Sequence, residues 1–382
     1  MAEGTASVKV YRGLRDIYFD RSQCTDIDGR AGDLRYRGYS IHDLAEHATF
    51  EETAWLLLHG DLPTRTALAE FDRELKLART LPSAVYEIIR LTRSGHPMDV
   101  LRTATSALAS VDPDTTDNSR PATLRKAVRL ISQVPMIVAA HARMRTDQAL
   151  VEPAGNLGHA ANFLWMLQGK KPSEEAARLV DRDLVLHAEH GSNASSFTAR
   201  VVTGTNANLH AAITAAIAAL SGPAHGGAAE DVMKMAEEIG DPSRAGAYVR
   251  ERRKAGEPIT GFGHRVYRVE DPRARHMRAG IELLSKEMGD PRWFEILQAV
   301  VQAMAPYARH GVNVNVDFYS GVVYYLLGVP RDLFVPIFAI GRVPGWVVQV
   351  LEQQDNNILI RPLTLYDGPE PRPFIPMEKR TR

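Results

Sequence analysis

The sequence predicts an all-α protein in two unequal helical parts, with one minor β-hairpin near the N-terminus. Three observations carry that prediction. Apolar residues recur with a period near 3.6 from Ser40 onwards, which gives each segment one buried face. Turn formers at Asp28-Gly29 and Ala31-Gly32 separate short runs ending in Leu34, Tyr36 and Tyr39, a hairpin pattern after which strand content is expected to end. Two breaks, Ser221-Gly222-Pro223 and Gly328-Val329-Pro330, bound an inserted unit. Residues 1–222 and 329–382 are therefore expected to form a large domain, and 223–328 a small one.

The helices follow in order. Thr49 with Glu52 makes a capping box ahead of Trp55, Leu56 and Leu58, and Gly60 with Pro63 stops that helix. Thr64 to Thr80 and Val85 to Leu91 are amphipathic and parted by Leu81-Pro82. His96-Pro97-Met98 opens a helix that Asp112-Pro113 closes, and a polar loop leads to Leu124–Arg143, where Pro135 predicts a kink. Helices are expected over Asn156–Gly169, Ser173–His190 and Asn208–Leu220. Further helices are expected over Ala228–Ile239, Ser243–Ala255, Arg273–Met288, Pro291–Arg309, Val316–Leu327 and Leu333–Gln354, followed by a Pro-rich arm from Pro369 to Pro376.

Composition excludes several classes. Lys and Arg total 46 and Asp and Glu total 46, so no overall basic field points to nucleic acid. Cys24 is the only cysteine, which excludes an internal disulfide and a multi-cysteine zinc site and fits a reducing, cytoplasmic setting. The first fourteen residues lack the basic and apolar regions of a signal or transit peptide. No membrane partner is expected: a spanning helix needs about 18 apolar residues, and the nearest candidate, Leu209–Leu220, is short and reads as a buried helix.

Chemistry concentrates in Glu257–Arg273, EPITGFGHRVYRVEDPR. His264 follows Gly261, Phe262 and Gly263, where absent side chains would let the backbone approach a ligand. Arg268 and Arg273 follow, and arginine suits bidentate capture of carboxylate or phosphate. The glycines do not fit a dinucleotide fingerprint, because Val266 occupies the third glycine's place, and no P-loop Gly-Lys-Ser/Thr follows. A surface turn before a basic helix is the plainer alternative for the tetrapeptide alone.

Five further stretches hold candidates. In His187-Ala-Glu189-His190, two histidines three apart with a glutamate could form a metal site, but the spacing is not His-Glu-x-x-His, and aliphatic Leu184, Val185 and Leu186 surround His187. In Ser221–Gly227, His225 stands at the mouth of a helix, where the imidazolium form is disfavoured and a neutral ring can donate a hydrogen bond. Asp317, closing the alternating run Val312–Val316, reads on its own as an N-cap. Arg342 and Arg361 lie among apolar residues and need anions, either substrate or a protein carboxylate.

Taken together, Gly-Phe-Gly-His, Val-Tyr-Arg and Asp-Pro-Arg, with the three histidine and aspartate stretches in the same order, resemble the citrate synthase family from about Gly13 to Gly368. The resemblance implies a fold of large and small helical domains that close on each other, and a Claisen-type condensation of an acyl-CoA with an α-keto dicarboxylate, followed by thioester hydrolysis. It implies Asp317 as base, His225 as donor to the enolate and His264 as acid to the ketone. His190, Arg273, Arg342 and Arg361 would hold oxaloacetate, Arg361 reaching across from the second subunit of a homodimer. Arg268, Ile259, Gly261, Phe262 and Gly263 would meet CoA. Acetyl-CoA enters as substrate, and neither a cofactor nor a metal is expected. A match starting near residue 13 resembles the short dimeric type, for which no NADH control is expected. 2-Methylcitrate synthases share these motifs, and one methylene is worth only about 1–3 kcal/mol, so propionyl-CoA stays open as the acyl donor. The rivals from other classes are a catalytically inactive helical binding protein and a metal hydrolase on His187, Glu189 and His190.

Overall fold

A single apolar helix near the C-terminus organises the core of the computed structural model, which describes residues 9–14 and 17–380. The N-terminal expectation therefore rests mostly on residues 1–8, which lie outside the described residues. Three antiparallel strands come first: β1 Thr25–Asp28, β2 Asp33–Tyr36 and β3 Tyr39–Ser40, with Thr25 opposite Tyr36 and Tyr36 opposite Tyr39. The expected hairpin is thus a three-stranded meander, because Gly38 at positive φ turns the chain once more.

The helices are α1 Ile41–His47, α2 Phe50–His59, α3 Arg65–Leu77, α4 Ser83–Leu91, α5 Pro97–Leu108, α6 Arg120–Met144, α7 His159–Gln168 and α8 Glu174–His187. They continue as α9 Ala194–Gly204, α10 Leu209–Leu220, α11 Ala228–Ile239, α12 Ala245–Lys254, α13 Ala274–Glu287, α14 Arg292–Ala308, α15 Asp317–Leu326 and α16 Phe334–Asp355. Thr49 and Glu52 form both bonds of the predicted capping box, and Gly60 closes α2 in the left-handed region. Two expectations fail. Helix α9 was not foreseen, since Ser, Thr and Val dominate it; Asn193 caps it by accepting from Ser196 N at 3.1 Å. Helix α8 ends at His187, so His190 stands on a link rather than on the helix.

Helix α16 packs against α2, α6, α8, α9 and α10, and its Trp346 is fully buried, a contribution of about 1.5–3 kcal/mol for one large side chain. With the turn before it, Arg331–Asp355 is long and apolar enough to cross a membrane, and 94% of its apolar window is buried in the fold. This corrects the choice of Leu209–Leu220 as the nearest candidate: Arg342, Pro344 and the glycines interrupt the apolar run in sequence without exposing it. Helix α8 also contacts α13 and α15, tying the core to residues that follow the Gly222-Pro223 break.

Candidate active site

Backbone pairing brings two of the distant stretches together. Gly263 N donates to Asn313 O at 2.7 Å, Asn315 N donates to Gly261 O at 2.9 Å, and Asp271 N donates to Val314 O at 3.0 Å. The alternating run before Asp317 is therefore the partner of the His264 loop. Gly261, at φ +81°, is needed for that pairing, because a Cβ there would lie 2.5 Å from Phe318 Cδ2. Packing against Phe318 is thus a second reason for glycine at 261, and Gly263 at φ +89° faces open space. The β1–β2 turn supports the same loop, with Arg268 N donating to Gly29 O at 2.7 Å.

Two histidines are held in opposite tautomers. His225 Nε2 accepts from Ser195 N at 3.3 Å, so its neutral ring carries the proton on Nδ1. The Ser195 hydroxyl accepts from Trp346 Nε1 at 2.9 Å, and its one proton is shared between two acceptors, His225 Nε2 at 2.9 Å and Asn193 Oδ1 at 2.8 Å. His264 Nδ1 accepts from Val266 N at 3.0 Å and Tyr267 N at 3.2 Å, which leaves Nε2 as its proton carrier. Burial, reinforced by Arg342 for His225 and by Arg273 for His264, lowers both pKa values to about 4. His225 is neutral as expected, but burial and Arg342 account for it; the helix mouth is at Gly227, two residues on.

His190 is buried with Nε2 3.1 Å from the Tyr267 hydroxyl, its ring edge-on to His264 at 5.2 Å between centroids. Burial, then Arg273, His264 and Arg342, pushes its pKa well below the ordinary value. Tyr36 of β2 fixes the link that carries it by donating to Leu186 O and Glu189 O, at 3.1 and 2.8 Å. The proposed metal trio does not converge: His187 Nδ1 is 2.9 Å from Asp183 O, Glu189 accepts from Thr25, Gln349 and Gly191, and His190 meets Tyr267.

Asp317 is the first residue of α15, and its side chain makes no capping bond, so the N-cap explanation does not hold. Burial raises its carboxyl pKa, opposed by His187 and Arg273 and assisted by Asp271 and Asp183. Arg273 binds Asp271 in bidentate fashion, Nε to Oδ1 at 2.9 Å and Nη2 to Oδ2 at 2.7 Å, leaving Nη1 without a hydrogen bond among the described residues. Arg342 differs. Its Nε donates to His187 O, its guanidinium stacks 4.8 Å from the Phe338 centroid, and buried Nη1 has no partner among the described residues. Burial lowers its pKa to about 10. Glu189 offsets part of this buried charge, but no carboxylate among the described residues bonds the unmatched N–H, which therefore calls for an anion.

The sequence matches the family model "Citrate synthase, C-terminal domain" over residues 13–363. The chain belongs to the citrate synthase family. It is 42% identical to the citrate synthase of Haloferax volcanii, covering 98% of this chain and 100% of that one. It is 38% identical to 2-methylcitrate synthase 1 of Corynebacterium glutamicum, over 98% and 99% of the two chains. Among solved structures, citrate synthase from Pyrobaculum aerophilum superposes with a TM-score of 0.93 at 38% identity, over 99% and 100% of the chains. The ternary complex of carboxymethyl coenzyme A and oxaloacetate with citrate synthase from Thermoplasma acidophilum superposes with a TM-score of 0.92 at 30% identity, over 97% and 100% of the chains.

Within the citrate synthase family fold, the chain places His190, His225, His264, Arg273, Arg342 and Asp317 in one electrostatic neighbourhood. Arg342 acts on His190 and His225, and Arg273 acts on His190, His264 and Asp317. Ile259 is buried, Phe262 is half-buried and Arg268 is exposed on the loop that carries His264. Arg361 stands apart on the exposed arm after α16 and makes no hydrogen bond or ion pair with any described residue. Sequence reasoning missed Ser195, Trp346 and Tyr267, which hold the histidines, and Asp271, which holds Arg273. Asp271 and Tyr267 each had a signal, standing in the quoted Asp-Pro-Arg and Val-Tyr-Arg motifs.

Proposed function

We propose that the chain condenses acetyl-CoA with oxaloacetate and hydrolyses the resulting citryl-CoA to citrate and CoA. Asp317 takes a proton from the acyl methyl group, and a raised pKa strengthens it as a base. His225 donates from Nδ1–H to the thioester oxygen as charge gathers there, so the enolate forms beside a neutral donor. The enolate carbon attacks the ketone carbon of oxaloacetate, and His264 delivers its Nε2 proton to the ketone oxygen. Water then cleaves the thioester and CoA leaves. The observation that carries this reading is the pair of locked tautomers, each imidazole having one nitrogen fixed as acceptor by backbone amides and the other left to donate.

The oxaloacetate carboxylates are assigned to Arg342 Nη1, Arg273 Nη1 and Arg361, with His190 beside the ketone; Arg268 and the segment Ile259, Gly261, Phe262 and Gly263 are assigned to CoA. Acetyl-CoA is a substrate, and no cofactor is needed. Residues 223–328 close as a small domain over the site, which excludes water during condensation. Arg361 serves the neighbouring site of a homodimer; Leu363 and Phe374 on its arm are 87% and 83% exposed in one chain, apolar surface that a second copy would cover. A cytoplasmic setting fits buried, unpaired Cys24.

Propionyl-CoA is the second reading, favoured by the 2-methylcitrate synthase relative at 38% identity. A steady-state comparison of acetyl-CoA and propionyl-CoA with oxaloacetate, followed by release of free thiol, tests both. A higher kcat/KM for acetyl-CoA is expected. Preference for propionyl-CoA selects the second reading, and turnover of neither defeats both.

A further inference from the structure

Asp183 has no part in the chemistry above, yet it is fully buried on α8 where that helix packs against α15, which carries Asp317. Its carboxylate accepts from Ser320 Oγ at 2.8 Å and from the Tyr324 hydroxyl, and lies 3.3 Å from His187 Nδ1. Ser320 and Tyr324 follow Asp317 by three and seven residues on α15. At about 100° per residue the three side chains leave the helix within about 60° of one another, on one face. Two of them are therefore anchored to a single carboxylate on α8, and the third is Asp317.

We infer that Asp183 is a positioning residue that fixes the rotation of α15 about its own axis and so aims the Asp317 carboxylate. The inference rests on the assignment of Asp317 as the base. Arg342 is held separately, its Nε donating to the His187 backbone carbonyl, so loss of the Asp183 carboxylate leaves the oxaloacetate arginine in place. A fully buried carboxylate with donors from Ser320, Tyr324 and His187 has its hydrogen-bonding capacity well used, which makes it a rigid reference point. A helix rotation that displaced the Asp317 oxygens by about 1 Å would be enough to lower turnover up to about a hundredfold.

The alternative is a staple between α8 and α15 with no bearing on catalysis, and a pH profile separates the two. The charged and titratable groups around Asp317 are Asp183 and His187 of α8, Asp271 and Arg273 ahead of α13, Tyr324 of α15 and Arg342 of α16. Asp183 is a like charge for Asp317, so its removal makes Asp317 easier to ionise and moves the acid limb of kcat to lower pH.

The test is Asp183→Asn in the full chain, with kcat against pH, KM for oxaloacetate and thermal unfolding measured together, and Asp317→Asn run alongside. The expected result is a fall in kcat of about ten- to a hundredfold, an unchanged KM and an acid limb displaced to lower pH. Folded Asp183→Asn whose kcat and acid limb superimpose on the wild type overturns the inference, as does a loss of rate that only follows the unfolded fraction. If Asp183→Asn does not fold, Tyr324→Phe keeps the charge and removes one anchor. Its kcat should fall at unchanged KM, and wild-type turnover in that folded variant overturns the inference equally. Normal turnover in Asp317→Asn would instead remove the base assignment itself, whereas an inactive Asp317→Asn beside an unaltered Asp183→Asn removes only the role of Asp183.

Discussion

Replacing Ser195 by alanine deletes a hydroxyl that meets three partners: His225 Nε2 at 2.9 Å, Trp346 Nε1 at 2.9 Å and Asn193 Oδ1 at 2.8 Å. The backbone N–H of residue 195 is untouched and still donates to His225 Nε2 at 3.3 Å, so the tautomer should survive while the ring is held less firmly. A neutral hydrogen bond contributes about 0.5–1.5 kcal/mol, which converts to a fall in kcat of about two- to tenfold. Trp346 is buried, and its orphaned N–H should destabilise the fold by about 1–3 kcal/mol, visible as a Tm lower by about 1–4 °C. Thiol-release kinetics at saturating substrates and thermal unfolding measure the two effects separately. The reasoning is refuted if Ser195→Ala is as slow as His225→Ala, because the amide would then hold nothing. It is equally refuted if kcat and Tm both stay at wild-type values.

Arg361→Ala and Arg342→Ala should each lose oxaloacetate affinity as homodimers, yet a mixture should regain activity after subunit exchange, since one of the two sites in a heterodimer carries neither defect; no recovery after verified exchange contradicts a shared site. Gly345→Ala would place a Cβ 2.0 Å from Ala188 O, forcing α16 off α8 and moving Arg342 away from the His187 carbonyl. Such overpacking destabilises by about 1–3 kcal/mol, and KM for oxaloacetate should rise with it; an unchanged KM would mean that Arg342 is not positioned by this contact. Burial, with Arg79 adding to it, lowers the His159 pKa to about 3, against about 6.5 in the unfolded chain. Its contribution is therefore present above about pH 6.5 and is lost as pH falls towards 3, at about 1.4 kcal/mol per pH unit. His159→Phe removes that dependence, so its Tm should gain on the wild type steadily below about pH 6.5, and a constant difference would contradict this.

Local signals were legible in the sequence. The capping box at Thr49 and Glu52, the left-handed stop at Gly60 and the helix boundaries around α10 and α11 all depend on neighbouring residues, so the sequence shows them directly. The site stretches were legible for the same reason, each being a short string with its own chemistry. What joins the strings was not. The Gly261–Gly263 segment pairs with Asn313–Asn315 across some fifty residues, a bond pattern that no local period announces. Trp346 reaches Ser195 across 151 positions, and Asp183 reaches Tyr324 across 141. Helix α9 was hidden by its Ser, Thr and Val content, and contact with α10 and α16 overrides that weak propensity. That Gly261 also makes room for Phe318 was not legible, because a glycine that admits a ligand and one that admits a side chain look alike in sequence.

The division of labour among Asp317, His225 and His264 is the central claim, and exchange of acyl methyl protons tests it most directly. The protein is mixed with acetyl-CoA in deuterated water and an oxaloacetate analogue whose carbonyl cannot be attacked, so that enolisation proceeds without condensation. Proton loss needs Asp317 and His225, whereas His264 acts only when the ketone oxygen gathers charge. Exchange should therefore persist in His264→Ala and vanish in His225→Ala and Asp317→Asn. If His264→Ala binds the analogue yet stops exchange as completely as Asp317→Asn does, the assignment of His264 to the ketone is wrong.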